Sequence, residues 1–151
     1  MSKVEQLLQA PAPDPDYPFK LIGRRHLRSN NSWMHNLPTL KGGSNRCTAK
    51  IHPEDAKTYD LVDGELIEVK SAFGSIQIEA ELTKDIIPGT ISIPHGWGHR
   101  GKGIQLKEAQ QSPGVNINEL MDHNRLDGLS HNAAFSGQPV AIAKLISTME
   151  A

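Results

Sequence analysis

Gly96-Trp97-Gly98-His99-Arg100-Gly101-Lys102 has the G-x-x-x-x-G-K spacing of a loop that cradles phosphate through its backbone N–H groups. It follows the apolar residues Ile91 and Ile93, which read as a strand. In a nucleotide-hydrolysing loop the next residue is Ser or Thr, which holds magnesium; here it is Gly103. No later strand ends in a magnesium-binding Asp, and the strands have an antiparallel character. Nucleotide hydrolysis is therefore set aside. Closely spaced glycines still let backbone approach a ligand, and Lys102 can reach a phosphate.

Other chemistries find less support. Histidine occurs at 26, 35, 52, 95, 99, 123 and 131. His95 and His99 have the i, i+4 spacing that suits a metal on one helix face, but Gly96 and Gly98 between them disfavour a helix. His52 beside Pro53 reads as a helix-entry residue. There is no G-x-S-x-G elbow for a nucleophilic serine. The single cysteine, Cys47, excludes an internal disulfide and any cysteine-held cluster. Arg46 beside it could lower its pKa, but a lone Cys entering a strand reads first as a small core residue.

Charge is distributed in blocks. Between Tyr17 and Pro53 there is no acid, against seven bases: Lys20, Arg24, Arg25, Arg28, Lys41, Arg46 and Lys50. From Glu54 to Asp85 nine acids face three bases. From Ile86 to Lys107 the acids vanish again, leaving Arg100, Lys102 and Lys107. If the two acid-free stretches meet, they make a site for a polyanion. The expectation is that the Arg24–Arg28 and His95–Lys102 loops share one face. The alternative is a solvated basic surface with acids on the other side.

The elements that would position these loops are short. The chain has 151 residues, 37% of them hydrophobic, with 13 Gly and 10 Pro, which favours many strands over a helical bundle. Residues 1–18 read as a lead-in ending in a proline-rich linker, Ala10 to Pro18. Phe19–Ile22 is a short strand ending at Gly23, and Thr48–Ile51 a second. Pro53-Glu54-Asp55 opens a helix, with Pro at its first position and acids facing the dipole. Ile67 and Val69, then Ile76, Ile78, Ala80 and Leu82, alternate as a hairpin. Asn118–Asp122 suits a helical turn, and Gln138–Ile146 the last strand. Arg24–Asn36 is a long polar loop of the kind that binds something. The sum is a small β-barrel with a helical insert, spanning residues 19–146 as a single domain, with 147–151 as a tail. No apolar run is long enough to span a membrane, and no signal peptide is evident, including around Arg24-Arg25. The expectation is a cytoplasmic chain without a membrane partner.

The order of these segments resembles a known family. The set comprises Phe19-Lys20-Leu21-Ile22-Gly23-Arg24-Arg25, Ser29 to Asn36, Ile51-His52-Pro53-Glu54-Asp55-Ala56, and Leu61-Val62-Asp63-Gly64-Glu65. Val69 to Ile76, Ile87-Pro88-Gly89, Pro94 to His99, Gly114 to Leu120 and Leu126-Asp127 complete it. It is similar to the C-terminal molybdopterin-dinucleotide-binding domain of the dimethyl-sulfoxide-reductase family of molybdenum and tungsten oxidoreductases, which includes formate dehydrogenases and nitrate reductases. That resemblance implies a fold that is mainly β with short helices, a double-psi β-barrel. It implies molybdopterin guanine dinucleotide as cofactor, with molybdenum or tungsten held by its dithiolene and the metal's protein ligand elsewhere.

Carried over residue by residue, the cofactor-binding positions are Gly23, Arg24, Arg25, His95, Gly96 and Asn118, with Ser29, Trp33 and His35 from the first loop. Arginines suit pyrophosphate oxygens. A buried Asn118 amide would pair with a heterocycle edge; alternatively, Asn118 caps the turn Glu119–Asp122. Family members often have Thr after Asn-x-Leu, where this chain has Met121. Whole members carry N-terminal catalytic lobes that 151 residues with one Cys cannot contain. The implied partner is therefore those lobes or a larger oxidoreductase subunit, and no turnover is expected from this chain alone. The rival reading is a small basic β-barrel binding single-stranded nucleic acid, with Trp33 stacked on a base. It suffers from having one aromatic in the loop where several are usual.

Overall fold

The computed structural model describes residues 14–127 and 130–145. Strands β1 (Phe19–Arg24), β2 (Thr48–Ile51), β3 (Leu66–Lys70), β4 (Ser75–Leu82), β5 (Thr90–Pro94) and β6 (Gln138–Lys144) close into a barrel. Their order around it is β1-β5-β2-β4-β3-β6. β1 runs parallel to β5, and β2 parallel to β4; the remaining pairs are antiparallel. Two parallel crossovers within one closed sheet give the expected double-psi barrel.

The alternation read from the sequence explains the wall. In β4, Ile76, Ile78 and Ala80 point into the barrel while Ser75 and Gln77 face out. Leu21, Ile51, Ile67, Val69, Ile91, Ile93 and Val140 meet at the centre with no exposure. Each such side chain contributes about 1.5–3 kcal/mol by leaving water. β5 is buried along its whole length, lying between β1 and β2 with loops over its outer face.

The helices are short: α1 (Pro38–Lys41), α2 (Pro53–Thr58) and α3 (Lys107–Gln110), with 3-10 turns at Trp33–Asn36 and Ile117–Leu120. His52 is the helix-entry residue expected. Its Nδ1 accepts from the Glu54 N–H at 3.2 Å. Asp55 Oδ2 accepts from Gly89 N at 2.8 Å, tying α2 to the turn that launches β5.

Three boundaries differ from the sequence reading. The helical turn read as Asn118–Asp122 forms at Ile117–Leu120. β1 continues through Gly23 to Arg24, because pairing with β5 extends to Arg24 opposite Pro94. β6 ends at Lys144 where its pairing with β3 ends, and Ile146 lies outside the described residues. So do most of the lead-in, residues 1–13, and the expected tail. Among the described residues no helix is long and apolar enough to cross a membrane.

Candidate functional site

Register decides which loops can meet. Arg24 sits opposite Pro94 in the parallel pair, so the segments following β1 and β5 leave the same end of the barrel. β2, antiparallel to β5, and β6, antiparallel to β1, both begin at that end. Residues 25–47, 95–127 and 130–137 are therefore gathered over one rim, and the expectation that the two acid-free loops share a face is met.

The loops are joined by side chains. His95 Nε2 lies 2.9 Å from Asn31 Oδ1, while its Nδ1 lies 3.1 Å from the Arg24 carbonyl. His35 Nδ1 lies 2.8 Å from His99 Nε2, and His35 Nε2 lies 2.9 Å from Ser29 Oγ. Asn36 Oδ1 accepts from the Glu108 and Ala109 N–H groups, at 3.0 and 3.2 Å, so the first loop holds the start of α3. Lys41 Nζ donates to Gln111 Oε1 at 3.0 Å.

Consecutive left-handed residues, Asn30 and Asn31, turn the first loop back on itself. Asn tolerates that conformation better than most side chains. The turn brings the Asn31 carbonyl against Gly96, which itself has φ +86.

At the centre is a buried polar stack. His35 lies face-on to Trp97, with ring centroids 4.0 Å apart and planes inclined by 31°. His99 meets His35 edge-on at 5.1 Å. Ser29, His35 and His99 are all buried. Burial lowers the His35 pKa to about 4, helped by the neighbouring His99 and the Arg46 charge. Burial likewise lowers that of His99. The pair is thus neutral at ordinary pH, one ring donating and the other accepting. The Trp97 indole N–H is buried with no partner among the described residues. Buried donors are nearly always satisfied, so an unpartnered one points to an acceptor from outside this chain, an ordered water or a ligand.

The two acid-free loops that the stack joins expose the cations Arg25, Arg28, Arg100 and Lys102. A cavity of about 390 Å³ beside it is lined by Lys41, Arg46, Arg100 and Trp97, with Glu79 its one acid. That donor set fits an anionic, heterocyclic ligand.

The residues proposed from sequence fall into distinct positions. Ser29, His35, His95 and Gly96 come together. Gly23 is exposed near the end of β1, with open space where a side chain would stand. Arg25 is exposed. Arg24 turns inward: Nη2 donates to the Thr48 carbonyl and Oγ1, both at 2.8 Å, and Nη1 to the Ser92 carbonyl. Glu81 stands 3.6 Å away. Burial pulls the Arg24 pKa down and Glu81 opposes this. Its guanidinium binds β1 to β2 and β5, so the group it offers at the rim is its backbone.

Trp33 is 81% exposed and takes no part in the stack. Asn118 is also exposed, so the expected buried amide is not found within this chain. Nor does Asn118 cap the turn. The cap is Asn116, whose Oδ1 accepts from Asn118 N at 3.1 Å. The turn still belongs to the rim, because Asn116 packs against Gly98. Met121, in the place where Thr is frequent, is buried in the barrel core.

Cys47 is the core residue expected. Burial raises its thiol pKa, and Sγ accepts from Val115 N at 3.4 Å. The phosphate-loop spacing does not form such a loop, since Gly101 and Lys102 lie in a turn rather than at a helix start. His95 and His99 do not act as a pair; each bonds a different residue of the first loop. Among the described residues no cluster of three or more His, Cys, Asp or Glu could hold a metal ion.

Sequence reasoning missed Trp97, His99 and Asn31 as site residues. A signal for two of them was present: Trp97 and His99 lie in the same Gly-rich loop as His95.

Comparisons with known proteins bear on this rim. A family model described as the molydopterin dinucleotide binding domain matches residues 19–139. The molybdopterin-containing subunit of arsenate respiratory reductase from Chrysiogenes arsenatis is 28% identical over 136 residues, covering 81% of this chain and 16% of that protein. Its counterpart from Shewanella sp. (strain ANA-3) is 31% identical, over 72% of this chain and 13% of that protein. The assimilatory nitrate reductase catalytic subunit from Bacillus subtilis is 28% identical, over 70% and 16%. The chain thus spans about one sixth or less of the length of these curated relatives. Acetylene hydratase from Pelobacter acetylenicus superposes with a TM-score of 0.68 at 24% identity, over 85% of this chain and 18% of that one, a likeness of fold.

Proposed function

The chain belongs to the molydopterin dinucleotide binding domain family, and from that premise we propose that its loop rim holds molybdopterin guanine dinucleotide as part of a larger molybdenum or tungsten oxidoreductase. The observation that supports this most is the joined pair of acid-free loops, which expose cations and hold a buried Trp97 N–H without a partner among the described residues. Arg25, Arg28, Arg100 and Lys102 would take the pyrophosphate oxygens through charge-assisted hydrogen bonds. The Trp97 N–H, the Asn118 amide, and backbone groups of Gly23, Arg24 and Gly96 would meet the edges of pterin or guanine. Ser29, His35 and His95 act one step back, holding the loops in place. Trp33, exposed on the same loop, would be covered by the partner.

When bound, the group supplies redox chemistry at a metal held by its dithiolene. This chain's residues bind and orient it and exclude water from one side. The metal's protein ligand and the electron path would lie in the catalytic lobes or larger subunit, so the chain alone does not turn over.

The test is compositional. The chain is co-purified with its genomic neighbours, and the complex is assayed for metal and for nucleotide released by acid hydrolysis. The expected result is guanosine monophosphate together with molybdenum or tungsten. A complex with neither overturns the reading, and cytidine monophosphate instead overturns the guanine assignment.

A further inference from the structure

His35 and His99 make a contact of an unusual kind. Two imidazoles from different loops share one hydrogen bond, buried, at 2.8 Å. The outer nitrogen of His35 is taken by Ser29 Oγ, a hydroxyl that can donate or accept. A neutral pair satisfies both ring nitrogens of His35 and the facing Nε2 of His99. If His35 Nδ1–H donates, Nε2 accepts from Ser29; if His99 Nε2–H donates, His35 Nε2–H donates to Ser29. One added proton is tolerated, because a charged ring can donate to a neutral one. Two added protons are not. The Nδ1–H of one cation would then face the Nε2–H of the other, with no acceptor between two like charges.

We propose that the His35–His99 pair is an acid-released latch between the two rim loops, closed while it holds at most one extra proton and open when both rings are charged. Among the described residues no carboxylate stands among the leading influences on His35. The titratable and charged groups acting on it are His99 from the loop after β5, Arg46 from the segment before β2, and His26 from its own loop. All of these oppose protonation. The Gly96 carbonyl is a backbone acceptor that favours it. For His99, burial is the dominant influence. The other ties between the loops, His95 to Asn31 and to the Arg24 carbonyl, Asn36 to α3 and Lys41 to Gln111, involve neither ring of the pair. Opening the latch therefore frees Ser29–His35 and Trp97–His99 while the barrel strands stay paired. That the latch governs retention of a cofactor rests on the proposed function; the latch itself does not.

The experiment follows amide hydrogen exchange in the full 151-residue chain between about pH 7 and pH 4, corrected for intrinsic rates. The reporters are the amides of Met34, which donates to Ser29 O, and of His99, which donates to Pro113 O. Core amides of Leu21 and Ile91 serve as controls. The expected result is a fall of roughly tenfold or more in protection at Met34 and His99, with the controls unchanged. His99→Gln, whose amide can face either nitrogen state of His35 and cannot charge, should hold the fall to less than about twofold. Unchanged protection at Met34 and His99 in the wild type overturns the latch, as does an equal acid response in His99→Gln. If that variant does not fold, the wild-type titration alone decides. A parallel titration with guanosine diphosphate separates the two ideas. Failure to bind at any pH counts against the cofactor reading, while the exchange data alone decide the latch.

Discussion

A Cβ placed on Gly96 would run into the backbone carbonyl of Asn31. Both residues are left-handed, with φ +86 and +63, and they come from different loops. Gly103 has the same φ of +86 but open space around it. Gly103→Ala should therefore cost about 1 kcal/mol from backbone strain alone. Gly96→Ala should cost at least about 2 kcal/mol, because a backbone neighbour cannot rotate away. Urea denaturation of the two variants checks this, and equal costs would remove the close approach from the account of the rim.

Arg24 is expected to matter for folding more than for ligand contact. Arg24→Met leaves the Thr48 and Ser92 carbonyls without their donor and Glu81 without one of its cations, at about 2–4 kcal/mol. Arg24→Lys should recover less than half of that, since an ammonium cannot span β2 and β5 as the planar fork does. Chemical denaturation of the three proteins measures it. A silent Arg24→Met would show that the guanidinium is not the tie described.

Stability should depend on pH through His35. Its folded pKa of about 4 lies below the unfolded value of 6.5, so between these values the unfolded chain binds more protons. The neutral-histidine contribution is complete above about pH 6.5 and is lost as pH falls through 4. His99, shifted the same way, adds to the slope. The unfolding free energy measured from about pH 7 to 4 should decline, and His35→Asn should flatten the decline.

Asn116 and Asn118 separate capping from binding. Asn116→Ala removes the cap of the 3-10 turn and should cost about 1 kcal/mol. Asn118→Ala, at an exposed position, should leave the melting temperature within error. In the assembled oxidoreductase it should lower cofactor content per folded protein. Full occupancy in that variant would remove Asn118 from the binding residues.

Cys47 should resist alkylation. Burial raises its pKa and encloses the sulfur, so iodoacetamide should label it only at the rate of local or global opening. Labelling as fast as a free thiol would contradict the packing of Val115 on Sγ.

The barrel was legible because alternation in β4 and the apolar residues of β1, β2, β3, β5 and β6 state which side faces inward. The basic rim was legible from charge blocks alone. What was not legible was the interior of the first loop. Ser29 and His35 are polar residues within a polar stretch, and their burial depends on Trp97 and His99, the latter 64 residues beyond His35. Local pattern holds no trace of a partner at that separation. The inward turn of the Arg24 guanidinium was illegible for the same reason, since its partners lie on β2 and β5. The cap offered as the alternative role for Asn118 belongs to Asn116, two residues earlier in a turn with no periodicity to fix it.

The neighbours of β1 in the closed sheet are β5 and β6. During synthesis the first strand and its seven-base neighbourhood leave the ribosome long before either partner exists. The barrel cannot shut until Val140 reaches Phe19. Such long-range pairing makes for slow folding and extended exposure of nascent segments. The strands that gather the rim thus pair late, and its basic loops stay open to solvent and to chaperones until β6 closes the barrel. A cofactor delivered before that moment would meet a linear basic peptide rather than a cradle, so loading must wait for β6.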